Sequence, residues 1–281
     1  MLRQPVGFDN TYPWLNRTFS DLMKDVHCKP RPQYAWGVMQ GAALAKVLKI
    51  PRISVIEFGV AGGFGLLTLE KIAECVEQIT NVAIDVIGFD TGVGLPKPEN
   101  FRDQPNMWFE GQLPMDRERL EAALTRASLR LGPVNETISS FVAANPAPVA
   151  FVSFDLDLYS STRDALTLFE TNSRHVLPRV TSYFDDIFGH TYNDFCGERL
   201  AIKEFNERND MRKICPIYGL RYFVSNCNSN DLWPDGIYLA HFFEHPLYGV
   251  LDSVKKGVVI DIDGSVLRRA PESAWRPSIK G

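Results

Sequence analysis

The stretch "VIEFGVAGGFG", Val55 to Gly65, decides the fold. The apolar run "ISVIEF" from Ile53 to Phe58 reads as a buried strand, with Glu57 at its end. Gly59, Gly62, Gly63 and Gly65 then crowd a turn, and "GLLTLEKIAECVEQI" follows with apolar residues at helical spacing. A strand that runs through a glycine turn into a helix is a unit of a parallel sheet. Such turns, at the carboxyl end of the strands, are where nucleotide-like ligands bind, because glycine lets the backbone approach closely. The dinucleotide pattern G-x-G-x-x-G does not fit: Gly63 and Gly65 have the first spacing, but Thr68 takes the third place.

Outward from that unit the alternation continues. "YAWGVMQGAALAKVLKI" from Tyr34 predicts a helix that Pro51 stops, and "AIDVIGFD" (Ala83–Asp90) a second strand. "DRERLEAALTRASLRL" predicts a helix, "ETISSFVAAN" a shorter one, and "VAFVSFDLD" (Val149–Asp157) another buried strand. A helix is expected from Ser161 to Ser173, a short strand at Val180–Phe184, and a helix over "GERLAIKEFNE". "GLRYFVS" and "GIYLAHFFE" then read as an antiparallel pair at a sheet edge. Alternating strands and helices imply a parallel sheet covered on both faces. The expected organisation is an N-terminal arm or lid with a lead-in helix over 1–50, one α/β domain over 51–263, and a tail over 264–281, loosely packed or used in contacts of a homo-oligomer.

Bulk composition narrows the function. The 281 residues are 45% hydrophobic with a net charge of −4 and no long basic run, which argues against a nucleic-acid backbone as the main partner. No apolar run approaches the roughly 18 residues of a membrane span, and "MLRQPVGFDNTYPWL" has no secretory apolar core. Cys28, Cys75, Cys196, Cys215 and Cys227 are odd in number and widely spaced, so neither a disulfide framework nor a structural zinc site is indicated. A reduced, cytoplasmic setting is the expectation.

Acids at strand ends supply the chemistry. Glu57 before the glycines sits poorly with a pyrophosphate and well with a cationic amino-acid moiety. Asp90, ending the next strand, can accept ribose hydroxyls. A ligand with a ribose, an ammonium group and no phosphate is S-adenosylmethionine. "FVSFDLDLYSST" adds Asp155 and Asp157, and "SYFDDIFGH" adds Asp185 and Asp186. Neighbouring parallel strands lie about 4.8 Å apart, so Asp155, Asp185 and Asp186 converge if their strands are adjacent. Such a set suits a hard, oxygen-liking cation such as Mg²⁺. Without a metal, helix N-terminal amides and Arg or Lys would have to satisfy the pair. Ser160, Ser161 and Thr162 read as helix-capping residues.

Together, "EFGVAGGFG", "GFDTGVGLP", "DLDLYSST" and "FDDIFG" resemble the class I S-adenosylmethionine-dependent methyltransferases, and more narrowly the macrocin O-methyltransferase group. The resemblance runs from about Ser54 to Phe243. It implies a Rossmann-like, doubly wound, mostly parallel seven-stranded sheet with an antiparallel edge pair at its C-terminal end. It implies that Glu57 and Gly59 line the methionine part of the cofactor and Asp90 the ribose; Phe58, Gly62 and Thr91 complete the expected cofactor set. Asp155, Asp185 and Asp186 would bind metal, and one of Asp155 and Asp157 would be the general base, with His190 as a further candidate. The implied reaction is metal-dependent methyl transfer to a hydroxyl of a small, natural-product-like or sugar substrate. Leu156 departs from the small residue usual there, "FETNSRHVLPRV" lacks a common glycine pair, and Lys97–Asp116 is long and aromatic. Trp108 and Phe109, with Tyr12 and Trp14 of the arm, are candidates to cover an apolar or sugar ring. Competing readings are a metal-independent methyltransferase, a nicotinamide-dependent oxidoreductase, a metal-dependent phosphate-ester hydrolase, and a non-catalytic binding module.

Overall fold

The computed structural model describes residues 19–224, 227–228, 230–250, 258–260 and 266–269. Helix α1 (Pro32–Val47) leads into strand β1 (Arg52–Phe58), the glycine turn and helix α2 (Phe64–Thr80), then β2 (Ala83–Asp90). Helix α3 (Arg117–Ala123), β3 (Ser128–Leu131), α4 (Val134–Ala143), β4 (Val149–Phe154), α5 (Tyr159–Ala165) and β5 (Val176–Phe184) continue the alternation. Helix α6 (Gly197–Arg208), β6 (Arg212–Pro216) and β7 (Ile237–Phe242) complete a seven-stranded sheet in the order β3-β2-β1-β4-β5-β7-β6. The first five strands are parallel, and β7 runs antiparallel to both β5 and β6. Strands β8 (Val258–Ile260) and β9 (Val266–Arg269) form a separate two-stranded ribbon. The arm through residue 18, with Tyr12 and Trp14, and the tail beyond Arg269 lie outside the described residues.

The strand order reverses between β1 and β4, which opens a crevice at the carboxyl ends of the parallel strands. Register brings those ends level. Phe58 pairs with Phe89 and Phe154, and Phe154 with Phe184, so the residues just beyond them meet along one rim. The four rings form a row on one face of the sheet. Phe89 and Phe58 lie 4.8 Å apart, Phe58 and Phe154 5.5 Å, Phe154 and Phe184 4.6 Å, and Tyr238 of β7 extends the row at 5.1 Å. On the opposite face α1 lies across β1, β4 and β5, so the lead-in helix shares the sheet's core.

Several boundaries differ from the sequence reading. The helix expected over 116–131 stops at Ala123, and its second half returns to the sheet as β3. Buried Glu70 on α2 explains the turn: its carboxylate accepts the backbone N–H groups of Thr125, Arg126 and Ala127 and the Thr125 hydroxyl. "GLRYFVS" is not a strand. Gly219 takes a left-handed φ of 78°, Leu220–Tyr222 is a 3₁₀ turn, and the partner of β7 is Arg212–Pro216. The helix expected from Ser161 starts at Tyr159 and tightens to 3₁₀ over Leu166–Glu170. β5 begins at Val176, four residues early. It accommodates Pro178, which has no N–H to donate, where the register with β4 slips between Val149 and Phe151. β4 ends at Phe154, so Asp157 is not a strand residue; its φ of 60° is left-handed.

Candidate functional site

The crevice holds a pocket of about 470 Å³, within the size range of small-molecule sites. The β1 turn, the loop after β2, the start of the 97–116 segment, and the β4–α5 connection line it. Every residue expected to bind cofactor, Glu57, Phe58, Gly59, Gly62, Asp90 and Thr91, lines this pocket, as do Asp155 and Asp157.

Glu57 is buried, and the Tyr34 hydroxyl of α1 donates to its Oε1 at 2.6 Å; Ser153 Oγ donates in turn to Tyr34 at 3.0 Å. Its other oxygen, Oε2, is buried without a hydrogen-bond partner. Burial pushes its pKa up to about 7, against the Tyr34 hydrogen bond and the nearby Arg31 guanidinium. An orphaned oxygen on a carboxylate facing a pocket suits an ammonium ligand. Gly65 makes this arrangement possible, since a Cβ there would fall 1.8 Å from Glu57 Oε1. Gly59 is equally constrained. Its φ is +84°, and a Cβ would fall 1.7 Å from the Asp155 carbonyl oxygen.

Asp90 organises the turn as well as facing the pocket. Its Oδ2 accepts the N–H groups of Val60 and Ala61, both at 2.9 Å, and its Oδ1 that of Gly92 at 2.7 Å. A carboxylate has about four acceptor positions, so these bonds leave room for about one ribose hydroxyl rather than a pair. The Thr91 hydroxyl is spent on its own loop, donating to Gly94 O at 2.6 Å.

The second set of acids sits where β4 and β5 end side by side. Asp155 N–H donates to Phe58 O, and Asp185 N–H to Phe154 O, which fixes both backbones to the rim. Asp186 Oδ2 accepts the Asp157 N–H at 2.9 Å, its Oδ1 the Tyr192 hydroxyl at 3.1 Å, and its own N–H donates to Glu198 Oε2. Asp185 Oδ1 accepts the Tyr183 hydroxyl at 2.8 Å. Burial, followed by repulsion from Asp185 and Asp186, raises Asp155 well above the usual carboxylate range. The same causes push Asp157 to about 8, and burial with Asp185 pushes Asp186 to about 6. Glu198, fully buried on α6, is raised by burial and Asp186, and its Oε1 has no hydrogen-bond partner.

Two residues of the candidate site escaped the sequence reading. Glu198 lies in the expected α6, but nothing in "GERLAIKEFNE" distinguishes it from a surface acid. Arg31, immediately before α1, lines the pocket between the two sets of acids. Burial works against its charge, yet Tyr34, Glu57, Asp155 and Asp185 more than offset this and hold it cationic. Arg31 is thus a partial counter-charge, one guanidinium acting on Glu57, Asp155 and Asp185.

The expected metal set is brought together only loosely. Asp155, Asp185 and Asp186 repel one another, but among the described residues they do not form a group whose ligand oxygens all lie within 4.8 Å. His190 is exposed in the loop beyond the acids and does not line the pocket. His241 is held in packing, with Nδ1 2.8 Å from the Tyr248 hydroxyl and its ring stacked on Phe243. The 97–116 segment is anchored rather than loose: buried Asp103 accepts the Ser160 and Glu99 N–H groups, and Gln104 Nε2 donates to Thr191 O in the His190 loop. Trp108 Nε1 is buried without a partner, while Phe109 is exposed. Glu204 on α6 accepts the Tyr159 hydroxyl at 2.5 Å.

No family model matches the chain, and no curated protein matches it. In structure the chain is similar to CalS11, a calicheamicin methyltransferase, at 21% identity over 76% of this chain and 91% of that one, with a TM-score of 0.47. It is similar to an O-methyltransferase from Bacillus cereus in complex with SAH, at 13% identity over 84% and 92% of the two chains, TM-score 0.36. It is also similar to the MycE methyltransferase of the mycinamycin biosynthetic pathway in complex with Mg, SAH and mycinamycin VI, at 14% identity over 80% and 54%, TM-score 0.39. Likenesses this loose carry no argument about chemistry.

Proposed function

We propose that the chain is an S-adenosylmethionine-dependent O-methyltransferase acting on a hydroxyl of a small molecule, with Mg²⁺ assistance. One observation carries the reading: an ammonium-seeking Glu57, a hydroxyl-accepting Asp90 and the acids Asp155 and Asp157 line one pocket at the sheet's switch point, with Asp185 and Asp186 close enough to act on Asp155. The donor set fits the groups proposed. Glu57 Oε2 is an orphaned acceptor for a cationic amino-acid end, and the acids by β4 and β5 offer only oxygen, which a hard cation prefers. Asp155 and Asp185 would hold that cation with Asp186, whose oxygens already accept two hydrogen bonds, as the third acid.

S-adenosylmethionine supplies an electrophilic methyl group, and a bound Mg²⁺ lowers a hydroxyl pKa and fixes its orientation. The chain's own task is placement. Glu57, held by Tyr34, fixes the amino-acid end; Asp90 fixes the ribose and, through the N–H groups of Val60 and Ala61, the turn beneath it. Asp155 and Asp157 line the pocket near the acceptor end, and either can take the hydroxyl proton because burial and like charges raise the proton affinity of both. The aromatic row below excludes water from the rim. The start of the 97–116 segment shapes the acceptor side.

Arg31 favours a second reading, a methyltransferase without metal, in which the guanidinium alone offsets the acids. Its charge acts on Glu57, Asp155 and Asp185, whereas the charges that act on Asp157 and Asp186 are those of other acids, so the metal-assisted reading is preferred. Turnover of hydroxylated acceptors with S-adenosylmethionine, with and without a chelator, decides between them. Methylation abolished by the chelator and restored by Mg²⁺ supports the first reading; chelator-insensitive turnover supports the second, and failure to bind S-adenosylhomocysteine overturns both.

A further inference from the structure

Away from the pocket, Asp25, Cys28 and Cys75 offer one oxygen and two sulfurs that all lie within 4.8 Å of one another, the one such group among the described residues. None of the three lines the pocket. The sulfurs are 3.9 Å apart, with the Cys28 thiol donating to Cys75 Sγ, and both cysteines are free. In a tetrahedral zinc site with Zn–S near 2.3 Å, two thiolates stand about 3.8 Å apart; the observed separation is already that of one tetrahedral edge. A disulfide would require the sulfurs to close to about 2.05 Å.

We propose that Asp25, Cys28 and Cys75 form a binding site for a thiophilic divalent cation such as Zn²⁺, with water in the fourth position. Cys28 is fully buried, whereas Asp25 and Cys75 are half-buried, so the open position and the path of entry lie on their side. Asp25 is preset: its Oδ1 accepts the His27 N–H at 2.7 Å, which orients the carboxylate. An ion bound here would displace the thiol protons of Cys28 and Cys75 to solvent. The site joins the segment that carries Arg31 to α2, the helix that opens at the glycine turn. Cys28 and Cys75 are 47 positions apart, which is why no metal-binding spacing marks them in the sequence.

Co²⁺ titration of the full chain under a phosphine reductant tests this. The expected result is one ion per chain with a thiolate-to-cobalt charge-transfer band, tetrahedral visible bands and release of two protons. Cys75→Ser should lose at least about half of the charge-transfer intensity, the Cys28→Ser/Cys75→Ser double variant all of it, and Asp25→Asn should weaken binding at least about tenfold. The acids at β4 and β5 offer no thiolate, so cobalt bound there would lack that band. Oxygen-only spectra, a band of undiminished intensity in Cys75→Ser, or conversion of the pair to a disulfide under the same reductant overturns the proposal.

Discussion

Replacing Glu57 by Gln separates the charge of this residue from its shape. Burial raises the Glu57 pKa from an ordinary 4.5 to about 7, so ionising it costs the folded state about 3 kcal/mol more than the unfolded chain. Its contribution to stability is therefore fully present below pH 4.5 and is lost as the pH rises through about 7. The amide introduced by Glu57→Gln can still accept from Tyr34 but never ionises. Urea denaturation at pH 5 and pH 8 should show the variant gaining on the parent by about 2.5 kcal/mol across that interval. Ligand binding should move the opposite way. If the ionised carboxylate holds an ammonium group, the parent at pH 6 has only about a tenth of its sites ionised, so S-adenosylhomocysteine should bind about tenfold more weakly at pH 6 than at pH 8. Calorimetry on Glu57→Gln should give weak binding with that pH dependence removed. A parent whose stability relative to the variant is flat from pH 5 to pH 8, with ligand affinity flat as well, would refute both the burial argument and the assignment of Glu57.

Further substitutions probe other parts of the site. Gly59→Ala, with a Cβ 1.7 Å from a carbonyl oxygen at a positive φ, should lower the denaturation midpoint by the equivalent of at least about 2–3 kcal/mol, measurable by urea titration. Arg31→Met should strengthen Mg²⁺ binding severalfold, roughly 1 kcal/mol, by removing a like charge; unchanged or weaker affinity in calorimetry counts against Arg31 as the resident counter-charge. Asp185→Ala should abolish turnover and leave S-adenosylhomocysteine affinity nearly intact. Asp90→Ala should weaken the same affinity and also cost about 1–3 kcal/mol of stability, because three backbone N–H groups lose their acceptor.

The alternation of strands and helices was legible because parallel strands buried on both faces, such as "VAFVSF", write themselves as unbroken apolar runs. The glycine turn and the acids at strand ends were legible for a related reason: a turn that must meet another backbone closely has few residues to choose from. β3 was hidden because its direction is set by Glu70, 55 positions upstream of Thr125, and not by any local pattern. Arg31 was hidden in a proline-flanked segment whose position over the rim depends on where α1 docks. Asp157 was read as a strand residue because alternation assumes extended backbone, and its left-handed φ breaks that assumption. His190 looked chemical by proximity in sequence, yet the loop carries it outward into solvent.

The row of rings from Phe89 to Tyr238 has a consequence for how the acids behave as a set. With polarisable but dry material beneath them, the charges on Asp155, Asp157 and Asp186 are felt by one another more than by bulk solvent. Protons would then leave in macroscopic steps that belong to the ensemble, so that a nuclear resonance followed at any one carboxyl would trace several inflections instead of a single curve.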